Sequence, residues 1–200
     1  MHTPDFFSAV RAISLHDPLA AFLGAMEGGL IEYNYTDAVK LAGHSCPTVA
    51  GAYLATLKAL NHLYPGATPQ RGEIKVSFRE SSSSGVTGVM ANIATLITGA
   101  TQDNGFKGIG GKFDRRNLLF FDVPMSGEMR FERRDTGSAV STSYHPEIVP
   151  PDPAMKELMQ ATLMGTASPE EQNEFARLWQ ERVKRILIDH IDDPRLVVLV

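Results

Sequence analysis

Cys46-Pro47 is where this chain commits to a helix. Proline fits the first helical position, where its missing N–H costs nothing and its φ is already suitable. Behind it, Ala50, Tyr53, Leu54, Leu57, Leu60 and Tyr64 recur at steps of three and four, the spacing of one buried helix face. Tyr64-Pro65-Gly66 stops the run. Cys46 therefore falls at or beside the N-cap. Unpaired backbone N–H groups and the helix dipole favour an anion there.

Cys46 is the only cysteine in the chain, and His44 stands two residues before it. A thiolate is both nucleophile and metal ligand. An imidazole two positions away on non-helical backbone can turn toward the same point. His44 and Cys46 are thus candidate metal ligands, and Cys46 is a candidate nucleophile. A lone cysteine is also often a small buried hydrophobe, and His-x-Cys is a weaker signature than paired Cys-x-x-Cys.

Gly43-His44-Ser45-Cys46-Pro47, followed by Gly51, resembles the Gly-His-x-Cys-Pro-Gly signature of the FmdE family, which takes its name from a component of formylmethanofuran dehydrogenase. Ala91 to Thr101, then Arg116-Asn117-Leu118, resembles that family's helix ending in Thr-Gly-Cys-Thr and its following Gly-Asn-Leu. Both matches lie within residues 36–122. The chain departs from the pattern at Ala42, where the family often has histidine, and at Ala100, where it often has cysteine. One cysteine cannot build the C-terminal zinc finger of some members. The resemblance implies a homodimer of interlocked protomers. It says little about a reaction.

The remaining segments predict an α+β fold: an antiparallel sheet of about four strands with helices on one face and a C-terminal helical pair. Residues 1–14 read as a short amphipathic helix. Asp17 and Pro18 open a second, reaching about Glu27. His16 precedes that helix as His44 precedes the long one, which makes it the first candidate for a third metal ligand. His145, before Pro146, is the alternative. Leu30 to Tyr35 alternates as a short strand, and Glu32, Tyr33 and Tyr35 are candidates to line a pocket beside a metal, with Glu32 the candidate general base. Tyr33 and Tyr35 also fit as ordinary half-buried strand residues.

Gly72 to Glu80 alternates as a half-buried strand, Ser81 to Gly85 is a turn, and Val86 to Thr98 is an apolar helix capped by Gly99. Residues 102–116 carry four glycines around Lys107 and Lys112. No phosphate-loop spacing can be drawn through them, although their backbone N–H groups, with Lys112, suit an anion. Leu118 to Val123, Gly127 to Arg133 and Ala139 to Tyr144 are three further strands, expected to pair antiparallel in sequence order. Pro150-Pro151 divides a core, residues 1–149, from a helical extension, residues 150–200, that packs on the core or on a partner chain. Its second helix begins at the capping box Ser168-Pro169-Glu170-Glu171, and its apolar stripe faces the core or a dimer partner. The apolar tail from Leu196 to Val200 is expected to extend a sheet edge or join a partner.

A net charge of −4 leaves no basic footprint for nucleic acid. No apolar run reaches the eighteen or so residues of a membrane span, and no signal peptide is visible. These features, with a cysteine that cannot form an intrachain disulfide, fit a cytoplasmic protein. Three functions compete. One is a transition-metal site, zinc foremost, on His44, Cys46 and one more histidine. The second is a non-catalytic module that binds or senses a metal or haem. The third is a thiol enzyme with His44 as base to Cys46.

Overall fold

The structure, a computed structural model, describes residues 3–200. The expected N-terminal helix begins on residues 1 and 2, which lie outside them. From Asp5 to Ala9 the chain makes a 3-10 turn. It then enters strand β1 (Ile13–His16), followed by α1 (Pro18–Phe22) and β2 (Leu30–Tyr33). Helices α2 (Tyr35–Ala42) and α3 (Pro47–Leu63), strand β3 (Ile74–Phe78) and α4 (Thr87–Thr98) follow. Strands β4 (Leu119–Phe120), β5 (Met129–Arg133) and β6 (Ala139–Tyr144) lead to α5 (Met155–Leu163), α6 (Pro169–Lys184) and β7 (Val197–Leu199).

The α+β class holds. One sheet has five strands in the order β4-β3-β5-β6-β7, and β1 and β2 form a separate antiparallel pair. Residues 13–16 become strand rather than helix because Ile13 and Leu15 alternate into the core while β1 pairs β2 from Ile13↔Tyr33 to His16↔Leu30. Strand partners override a helical pattern this short.

The expected order of pairing fails at one place. The segment after Asn117 does not pair with β5; β4 lies on the other side of β3 and parallel to it. α4 and the glycine-rich loop supply the crossover that a parallel pair needs. Asn117 and Asp122 both have φ of 56°, a left-handed backbone that limits the strand between them to two residues. The tail does extend a sheet edge, with β7 antiparallel to β6.

α3 is the axis of the molecule. Twelve of its residues are buried, from Val49 through Leu63, as expected of a helix enclosed on most sides. One side meets α4 and another the sheet at β5, β6 and β7, where Met129, Phe131, Val140 and Val197 are buried, while β3 packs against α4. The extension closes over the rest. Leu178, Val183, Ile186, Leu187, Leu196 and Val197 are buried within the chain. The chain itself thus buries most of the α6 stripe and the start of the tail, while Phe175 and Trp179 stay half-buried and Leu199 and Val200 remain exposed. No helix among the described residues is long and apolar enough to cross a membrane.

Candidate functional site around His44 and Cys46

The turn from α2 into α3 is built by local chemistry. Asp37 accepts from the Asn34 backbone N–H at 3.0 Å and fastens the start of α2. Gly43 ends that helix with φ of 75°, which a glycine adopts without strain. Cys46 is then the N-cap of α3, and its Sγ accepts from the Val49 N–H at 3.4 Å. The residue is 8% exposed. His44 is exposed, and its Nδ1 lies 2.9 Å from the Ala42 carbonyl oxygen. A carbonyl only accepts, so Nδ1 carries the proton, and the lone pair of the neutral ring sits on Nε2.

Four side chains from three other elements clamp this turn. Tyr35 Oη is 3.0 Å from Ser45 Oγ. The Trp179 indole N–H donates to the Ser45 carbonyl at 2.9 Å, and Gln180 Nε2 donates to the same oxygen at 3.3 Å. Tyr144 Oη donates to the Pro47 carbonyl at 2.9 Å. The Tyr144 ring lies against Gly51, where a Cβ would overlap it. Burial pushes the Tyr35 and Tyr144 phenols well above the usual range, so both act as neutral donors or acceptors. Beside the turn lies a cavity of about 380 Å³, lined by His44, Ser45, Phe175, Ala176, Trp179 and Gln180.

The structure brings together only part of the expected set. His44 and Cys46 flank Ser45 on the turn, and Tyr35 is held to Ser45 as a fully buried anchor rather than a pocket wall. His16 lies at the opposite end of α3. Its Nδ1 is 2.8 Å from Gln70 Oε1, and its strand bridges Gln70, beyond the C-terminus of that helix. The likeness between two histidines that precede proline-opened helices is local, and β1 runs the wrong way to make it spatial. His145 follows Tyr144, but its Nδ1 meets Glu147 Oε1 at 3.0 Å. Glu32 lines a separate cleft of about 500 Å³ with Asn34, Thr36 and Lys40. Lys112 sits on the exposed glycine-rich loop, in a bridge with Ile109. No group of three His, Cys, Asp or Glu side chains converges in a way that could hold a metal among the described residues.

Tyr33 belongs to a second polar cluster, at the His16 end. Asp17 is buried between two guanidiniums: Arg71 Nη1 at 2.9 Å and Arg115 Nη2 at 2.6 Å. The same carboxylate caps α1 through Leu19 and Ala20. Burial alone would raise the Asp17 carboxyl, but the Arg71 hydrogen bond and the Arg115 charge overrule it and hold it below the ordinary range. Arg71 also donates to the Leu96 and Ile97 carbonyls at the end of α4 and lies 5.6 Å from the Tyr33 ring centre. Burial raises the Tyr33 phenol. Arg115 presses against Gly72 and Gly99, which have no side chain to clash with it. This cluster ties α1, α4 and the glycine-rich loop together and is structural.

Sequence reasoning missed the contribution of α6. Phe175, Trp179 and Gln180 stand at helical spacing, and that stripe reads as packing. Trp179 and Gln180 are adjacent, so one helix face delivers two N–H donors to a single carbonyl. The one available signal was that a Gln beside a Trp brings a polar group to the edge of an apolar face.

No curated protein matches the chain. A family model described as FmdE, Molybdenum formylmethanofuran dehydrogenase operon, matches residues 41–193. That span covers more than half of the chain and includes the His44–Pro47 turn, strands β3 to β6 and the α6 residues that clamp the turn. The chain belongs to the FmdE family.

Proposed function

We propose that this chain binds a transition metal, zinc foremost, through His44 Nε2 and Cys46 Sγ. The observation that carries the reading is the 2.9 Å contact of His44 Nδ1 with the Ala42 carbonyl. Metal-binding histidines are commonly fixed in this way, with the other ring nitrogen held by a carbonyl so that the lone pair faces the ion. Thiolate with imidazole is a donor pair suited to zinc. Membership of the FmdE family agrees with a metal-associated role.

The donors fit a metal in kind but are two in number, whereas zinc sites take three or four protein ligands. The remaining positions belong to water, a small ligand or a second copy of the chain. A metal there would act as a Lewis acid on whatever filled an open position. The chain's own part is to hold His44 and Cys46 still, through the clamps on Ser45 and Pro47. A thiol enzyme with His44 as base is less well supported, because no hydrogen bond joins His44 to Cys46 among the described residues, and Cys46 Sγ accepts from the Val49 N–H instead. Elemental analysis of the purified chain, with an absorption spectrum, tests the reading. Stoichiometric zinc and no Soret band are expected. A Soret band would replace metal by haem, and metal content unchanged in Cys46→Ser would end the proposal.

A further inference from the structure

We infer that the cavity between His44 and α6 is a binding site for a small planar, largely apolar molecule carrying one nitrogen or oxygen donor. The cavity holds about 380 Å³, within the size range of small-molecule sites. Its walls are Phe175, Ala176 and Trp179, and the two rings stand 5.7 Å apart at 53°. Aromatic walls favour a flat apolar body. Among the lining side chains, His44 is exposed with its Nε2 outside any hydrogen bond of the described residues, and Gln180 spends its Nε2 on the Ser45 carbonyl. The Gln180 Oε1 atom is buried and has no hydrogen-bond partner among the described residues, and a buried acceptor of this kind calls for a donor. His44 Nε2 is the other polar atom. A ligand with one N–H or O–H group on an aromatic body answers both walls and polar groups.

The site is also preformed. Trp179 and Gln180 are bound to Ser45, and Ser45 to Tyr35, so the shelf is fixed to the turn that carries His44, whose ring is held by the Ala42 carbonyl. Preorganisation lowers the ordering cost of binding. The inference deepens the metal reading, and rests on it only for what the donor atom meets: a metal at His44 when one is present, the Nε2 lone pair when none is.

Trp179 is the only tryptophan in the chain. It also lines a second cavity of about 200 Å³ with Met155 and Arg182, so substitutions at Phe175 and Ala176, which line only the first, decide which cavity its emission reports on. The test is titration of the full chain with 4-phenylimidazole, before and after metal removal by a chelator, with imidazole as the comparison. A saturable change in emission is expected at a Kd on the order of 0.1–1 mM, with imidazole at least about tenfold weaker. Phe175→Ala removes a wall and is expected to weaken binding about tenfold. Ala176→Leu fills the cavity from an exposed helix position and is expected to abolish it with circular dichroism unchanged. Equal affinity for imidazole, or unaltered binding in folded Ala176→Leu, overturns the inference. So does a flat titration of both metal-free and metal-bearing protein. Metal content is read separately, so a protein that holds zinc but gives no titration refutes the ligand site and leaves the metal reading standing.

Discussion

Trp179 and Ser45, 134 residues apart in the chain, meet through a 2.9 Å hydrogen bond from indole to carbonyl. That contact makes the C-terminal extension part of the candidate site. It fastens α6 to the turn in which Cys46 is buried and His44 exposed. Trp179→Phe keeps the ring and removes the donor, with Gln180 still on the same carbonyl. A loss of about 1–1.5 kcal/mol in denaturant unfolding is expected. Cys46 should also react faster with a chromogenic disulfide reagent, because the cover over the turn loosens. An unchanged reaction rate would show that α6 does not control access to the thiol.

Cys46→Ser and His44→Ala should each reduce bound zinc at least tenfold, read by elemental analysis after dialysis. A hydroxyl is a poor substitute for a soft thiolate, and a site with two protein donors has none to spare. His16→Ala should leave zinc content unchanged, since His16 is committed to Gln70 at the far end of α3.

Gly51→Ala should destabilise the fold by about 1–3 kcal/mol, because the new methyl meets the Tyr144 ring. In a Tyr144→Ala background the same substitution should cost far less. A double-mutant cycle by urea unfolding measures the difference, and additive effects would show that the two residues do not touch.

Asp17→Ala should cost roughly 3–5 kcal/mol, since it leaves Arg115, a residue 6% exposed, buried without its carboxylate. The pH dependence has a definite sign. The folded carboxyl lies below its unfolded value near 4, so its contribution is complete above about pH 5 and decays as pH falls through the depressed folded value. Asp17→Asn should therefore flatten the acid limb of the stability curve below about pH 4. A parallel, merely lowered curve would assign the acid loss to other groups.

A homodimer is expected by light scattering, at twice the monomer mass. The structural ground is not the α6 stripe, most of which the chain buries itself. It is a patch left open by α1 and the turn after it: Phe22, Leu23, Met26 and Leu30 are each about half exposed or more. Large exposed apolar residues close in sequence mark contact surfaces. Leu23→Glu should shift the mass toward monomer, and a wild-type monomer at micromolar concentration would refute the expectation.

What the sequence determined by itself is local. Pro47 after Cys46 starts α3, Gly99 with φ of 74° ends α4, and Ser168 with Glu171 boxes the start of α6. The alternation of Ile74, Val76 and Phe78 sets which face of β3 is buried. Each of these signals acts between residues within a turn or two, so the sequence displays both partners side by side. The His44–Cys46 turn was legible for the same reason. What the tertiary structure decided is convergence. Arg115 reaches Asp17 across 98 residues, β4 chooses the far side of β3, and Trp179 reaches Ser45. His16 has the local signs of a ligand, and the path of β1 carries it away. Packing around α3 selects such long-range pairings, because many weak contacts must be satisfied at once, and no short stretch of sequence records that sum.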